Sequence, residues 1–180
     1  MPDTTLEGTV TQEELDLKNG TNLIVLNERG EFLVVKEKTR KRMWMLPGGE
    51  VERGESSRHA AISETEEETK IVVDECDLRL IGIFVQRPKG FVFLYETKVY
   101  KGEVSVPVDS LEVSEARFMS LEEIRQINET GLFRTGYMRM ILRYLRCVYN
   151  IDQIPYEGRL SDEVEFPLDP ESYRNNILVV

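Results

Sequence analysis

Residues 47–71 read Pro-Gly-Gly-Glu-Val-Glu-Arg-Gly-Glu-Ser-Ser-Arg-His-Ala-Ala-Ile-Ser-Glu-Thr-Glu-Glu-Glu-Thr-Lys-Ile, and no other stretch leaves the chain so few options. Pro47-Gly48-Gly49 makes a glycine-rich turn and a further glycine, Gly54, follows. Ser56 or Ser57 can cap a helix predicted over 57–69. Glu64, Glu66, Glu67 and Glu68 crowd the end of that helix. The macrodipole favours Lys or Arg there, and like charges one turn apart cost about 0.2–0.5 kcal/mol per pair. Glu64, Glu67 and Glu68, at i, i+3 and i+4, share one face. Such a face calls for positive charge from outside the helix, and oxygen donors at this spacing suit magnesium or manganese. A solvated acidic face is the plainer reading of an isolated run. The glycine turn directly ahead sets this one apart.

Gly49-x4-Gly54-Glu55-Ser56 has the glycine spacing of a phosphate-binding P-loop. That loop needs Lys where this chain has Glu55, which would repel the phosphates. A P-loop is therefore excluded. The stretch instead resembles the Nudix box, G-x5-E-x7-R-E-U-x-E-E-x-G-U with U aliphatic. Gly49, Glu55, Glu64, Glu67, Glu68 and Ile71 fall on pattern positions, and Leu46-Pro47-Gly48 resembles the usual approach. Ser63 stands where the family has Arg, Thr65 where it has an aliphatic residue, and Lys70 where it has Gly.

The resemblance, over about residues 20–149, implies an α/β fold: an α/β/α sandwich around a mixed β-sheet. It implies hydrolysis of a phosphoanhydride in a nucleoside diphosphate linked to another moiety, with Mg2+ or Mn2+ as cofactor. Carried over by position, Glu64, Glu67 and Glu68 are the catalytic residues and metal ligands. The Gly48 carbonyl is a further ligand, and Glu55 supports the loop. The proton acceptor is a box glutamate or a loop acid such as Glu112 or Glu115. Serine cannot make the charged, two-pronged pair that Arg makes with a glutamate. A catalytically weak module that binds a nucleotide or a protein partner is thus the alternative to an active hydrolase. Lys70, at the place of the helix-ending Gly, must enter the left-handed region at a cost of roughly 1 kcal/mol.

At 180 residues one domain is the default. The expected layout is an N-terminal arm over 1–20, the Nudix domain over 21–149 and a proline-bearing acidic tail over 150–180 that docks on the same domain. A net charge of −10 argues against broad nucleic-acid or anionic-membrane binding, but not against a small phosphorylated ligand. The N-terminus has neither the basic nor the apolar region of a secretory signal, and no apolar run approaches a membrane span. The expected location is the cytoplasm, with Cys76 and Cys147 as reduced thiols. A lone histidine, His59, offers neither a His-rich metal site nor a catalytic triad.

Leu23–Leu26 and Phe32–Val35 flank Asn27-Glu28-Arg29-Gly30, which predicts a β-hairpin. Lys36–Arg42 holds five basic residues and one acid. It reads as a solvated loop or as a phosphate-facing one, and Trp44–Leu46 as a short buried strand. Runs at 78–86 and 91–100 predict antiparallel neighbours; of Phe91, Phe93 and Tyr95, core packing is the expected use of two, and one or more could stack a base. A strand is expected near 112–119. Ser120-x-x-Glu123 predicts a capping box. Leu132–Tyr149 reads as an amphipathic helix with Met138, Ile141, Leu142, Leu145 and Val148 inward and Arg139, Arg143 and Arg146 on another face, which reads as solvated or, as the alternative, as a phosphate or partner contact.

Overall fold

The structure is a computed structural model and describes residues 18–38, 41–85 and 90–149, apart from the side chains of Thr135, Cys147 and Tyr149. The expected arm up to residue 17, the expected tail from 150 onward, Pro88 and the Cys147 thiol fall outside those residues. Cys76 is a free, exposed thiol.

Strand β1 (Gly20–Val25) pairs in parallel with β5 (Phe91–Thr97), and β4 (Arg79–Val85) pairs antiparallel with β5, giving a mixed sheet. A second sheet is antiparallel, with β2 (Phe32–Glu37) between β3 (Trp44–Met45) and β6 (Val113–Met119). Helix α1 (Ser57–Thr69) covers one face. Helices α2 (Leu121–Glu129) and α3 (Thr135–Tyr149) cover the other.

The strand sequences explain the layers. Leu23, Ile24 and Val25 are successive and fully buried, as strands covered on both faces require. Side chains alternate across a strand. Accordingly, Leu23, Val25 and Leu33 join Ala61, Ile71 and Tyr95 under α1. Ile24, Leu26, Phe32 and Val34 join Met138, Ile141 and Leu145 of α3. This is the α/β/α arrangement that the resemblance implied.

The predicted β1–β2 hairpin is corrected. Its turn is real: the Asn27 N–H donates to the Glu31 carbonyl at 3.1 Å and Gly30 to Asn27 at 2.9 Å. Strand pairing across it stops at a single bridge, Leu26 with Phe32. Beyond it each strand finds a distant partner, β5 for β1 and β6 for β2. The antiparallel β4–β5 pair and the capping box at Ser120 and Glu123 form as expected.

Helix α1 begins at Ser56, whose side chain accepts the His59 N–H. Thr65, at the aliphatic position of the box, is fully buried, and its hydroxyl donates to the Ala61 carbonyl at 2.7 Å. The hydroxyl is thereby satisfied inside an apolar layer, which offsets the cost of burying it. The helix ends at Lys70 with φ 61°, its N–H donating to Glu66. That left-handed cap is the one glycine fills without strain. Lys70→Gly is expected to stabilise the protein by about 1 kcal/mol, a gain of a few degrees in melting temperature. Its kcat should not change. Thermal melts and steady-state rates on this variant check both halves.

Candidate active site

The Pro47–Gly49 turn lies along the free edge of β1. Thr21 donates its N–H to Gly49 at 2.9 Å and Leu23 donates to Pro47 at 3.1 Å. Gly48 has φ 141° and so tight a setting that a Cβ there would collide with the Thr21 carbonyl and the Asn22 carboxamide. A Cβ on Gly49 would collide with the Glu64 carboxyl. Close approach to the β1 backbone therefore requires glycine at 48, whereas a Cβ at 49 would displace the tip of the Glu64 side chain.

Two of the box glutamates meet this turn. Gly48 donates its N–H to Glu68 Oε2 at 3.0 Å. Glu64 lies against Gly49. Glu67 is on the same helical face but exposed. Burial pushes the Glu64 carboxyl up to about 7, helped by Glu67, Glu112, Glu55 and Glu52. Burial pushes Glu68 up to about 8; the Gly48 N–H opposes this, and Glu64, Glu112 and Glu67 add to it. Acids crowd this site from three segments, the loop at 52–55, the helix at 64–68 and the loop at Glu112. The strain is electrostatic: at neutral pH the two deepest carboxyls are held partly protonated for want of a counter-charge.

Among the described residues no trio of acidic, imidazole or thiol groups already stands at ligand spacing. The donor set nonetheless fits a hard dication. It is all oxygen, lies on one face, and carries excess negative charge in partly buried positions. The exposed Glu67 is the member free to swing inward.

Glu55 accepts the Glu52 N–H at 3.3 Å and returns its own N–H to the Glu52 carbonyl at 3.0 Å, so it braces the loop. The two candidate loop acids part company, since Glu115 lies within strand β6 and Glu112 just before it. Glu112 acts on both Glu64 and Glu68, whereas Glu115 is paired with Lys36 at 2.7 Å. Two of the five basic residues in the run at 36–42 are accounted for by such contacts. Lys36 sits over Trp44 at 5.4 Å, and the Lys38 ammonium donates to the Ser110 carbonyl. Ser63 does not engage a glutamate; its hydroxyl donates back to His59 at 3.1 Å and reaches Ala60 at 3.3 Å.

The family model for the NUDIX domain matches residues 16–139. The chain belongs to the NUDIX family. It is 30% identical over 132 residues to the RNA pyrophosphohydrolase of Pelagibacter ubique (strain HTCC1062), covering 63% of this chain and 82% of that one. A Bacillus subtilis (strain 168) relative is 40% identical over 86 residues, or 48% of this chain and 53% of that protein. In fold, the MutT NUDIX hydrolase from Burkholderia pseudomallei superposes with a TM-score of 0.59 at 20% identity, covering 70% of this chain and 96% of that one. The enzyme class follows: this is a Nudix-type pyrophosphohydrolase. No helix among the described residues is long and apolar enough to cross a membrane.

A cavity of about 470 Å3 adjoins the Nudix turn, sharing Gly49 and Glu50 with it. Phe84 and Tyr137 are its aromatic residues, with Val92 and Met140, and Thr21, Asn22 and Arg139 add polar groups. Of the three strand aromatics, Phe93 and Tyr95 are the two used in core packing, on the α1 side, and Phe91 is partly exposed. For Arg139 the solvated reading is corrected. It is only 9% exposed, because α3 rolls that part of its basic stripe against the mixed sheet, while Arg146 does face solvent. The one available signal was proximity of Tyr137 and Arg139 to the apolar stripe of α3; Phe84 carried none.

Proposed function

We propose that this Nudix enzyme hydrolyses the phosphoanhydride bond of a nucleoside diphosphate linked to a further moiety. The observation that carries this is the meeting of Glu64 and Glu68 on the Gly48-Gly49 turn, with Glu112 beside them and a base-sized cavity sharing Gly49. Glu64, Glu67 and Glu68, with the Gly48 carbonyl, would hold Mg2+ or Mn2+. When bound, the ion supplies charge neutralisation on the phosphate oxygens and acidifies or orients water.

The chain's own groups do the rest. The Gly48 N–H fixes the Glu68 carboxylate. Glu55 braces the turn. Phe84, Tyr137 and Met140 give the cavity flat, apolar walls suited to a nucleobase. With Glu115 paired to Lys36, the proton of the attacking water goes to Glu112 or to a box glutamate. An anionic ligand approaches a chain of net charge −10, so Arg139 in the cavity wall and bound cations supply the local attraction.

The test is a screen of nucleotide sugars, dinucleoside polyphosphates, nucleoside triphosphates and capped RNA with Mg2+ and with Mn2+, using Glu67→Gln as control. Metal-dependent release of a nucleoside monophosphate from at least one of them, lost in the control, is expected. Nucleotide binding with no turnover of any diphosphate would replace this reading with a binding module.

A further inference from the structure

Asn22 is a misfit in its strand. β1 is otherwise a buried apolar run after Thr21, and Asn22 itself is only 4% exposed. Carboxamides are poor strand formers and costly to bury without hydrogen-bond partners. By the alternation of the strand its side chain falls on the face of Ile24 and Leu26, toward α3. It lines the cavity there. Its Nδ2 donates to the Pro47 carbonyl at 3.4 Å, a second donor on an oxygen that also takes the Leu23 N–H. It is packed so closely on Gly48 that a Cβ at 48 would come within 2.6 Å of Nδ2. Gly48 is thus clamped, with the Asn22 carboxamide on the cavity side and the Glu68 carboxylate on the helix side.

We propose that Asn22 is a positioning residue of the Nudix site: its carboxamide sets the Pro47-Gly48 peptide so that the Gly48 N–H meets Glu68. This rests on the proposed role of Glu68 as a metal ligand. Asn22 touches no ligand carboxylate itself. It acts through one peptide, whose tilt decides where the Glu68 oxygens point. A ligand seated in the cavity lies against the same side chain, so cavity and carboxylates meet at this residue.

The test uses Asn22→Leu, which keeps the size and removes the donor, and Asn22→Ser, which stays polar but is too short to reach Pro47. Mn2+ binding is followed by electron paramagnetic resonance in the absence of substrate, together with thermal melts and steady-state kinetics. Partners of ligating groups typically matter by about 10–100-fold; at one further remove, a loss of about tenfold is expected in both Mn2+ affinity and kcat, with KM within about twofold of wild type. Either variant suffices if the other does not fold. A lower melting temperature with Mn2+ affinity and kcat unchanged would make Asn22 merely structural and overturn the proposal. A rise in KM alone would make it a cavity wall and overturn it as well. Wild-type protein that binds no Mn2+ would remove the metal-site reading and this inference together, an outcome separable from the other two.

Discussion

Glu68→Gln is expected to lower kcat on the best diphosphate substrate by about a thousandfold, or roughly 4 kcal/mol of barrier, while making the metal-free protein more stable. The two effects have one cause. Glu68 is only 6% exposed and lies among Glu64, Glu67 and Glu112. A buried carboxylate with acidic neighbours opposes folding unless a cation joins it. Glutamine has the same shape, and its amide oxygen can still accept the Gly48 N–H, so removing the charge should leave the turn in place. What is lost is the anionic donor. Rates at saturating Mg2+ and melts in excess chelator, both near pH 8, measure the two effects. A variant that keeps its rate, or that melts below wild type without metal, contradicts the assignment of Glu68.

The same residues show what was legible before any coordinates. Helix α1 was readable to its ends because its signals are local: a Ser56 cap, the i, i+3, i+4 glutamates and a forced left-handed residue at Lys70. The capping box at Ser120 was readable for the same reason. Pairing was not. The Asn27–Gly30 turn obeys hairpin chemistry, yet β1 pairs Leu23 with Tyr95 and β2 pairs Val34 with Arg117, partners that no local signal names. The acids of the site were legible as a spacing. Glu112 and Glu115 were both candidates to join them, and only the fold separates the two, by drawing Glu115 to Lys36. The cavity was least legible, because Phe84 and Tyr137 come from a strand and a helix far apart in the chain. Arg139 misled because a basic stripe beside an apolar one looks solvated until the helix is docked.

The second large effect is on the pH dependence of stability, and its sign follows from the carboxyl groups. Both begin from an ordinary value of 4.5 in the unfolded chain and rise in the folded protein, Glu64 to about 7 and Glu68 to about 8. The folded state therefore holds protons that the unfolded state has released. Whatever these groups contribute is fully present below about pH 4.5 and is lost as pH climbs through 7 and 8. Raising a carboxyl's pKa by one corresponds to about 1.4 kcal/mol. Discounting Glu64 for its partial exposure to solvent, the metal-free protein should lose on the order of 3–5 kcal/mol between pH 5 and pH 8.5, or about 10 °C in melting temperature. A divalent cation that binds the ionised carboxylates acts in the opposite direction by mass action. Millimolar Mn2+ or Mg2+ should flatten the profile, with a large gain at pH 8.5 and almost none at pH 5. Glu68→Gln should remove much of the slope without metal and most of the gain with it. Melting temperatures across that range, in chelator and in Mn2+, decide the matter. A metal-free profile that is flat or rises with pH would mean that the carboxyls are not strained as the geometry requires, and a cation effect equal at both ends of the range would place the cation elsewhere.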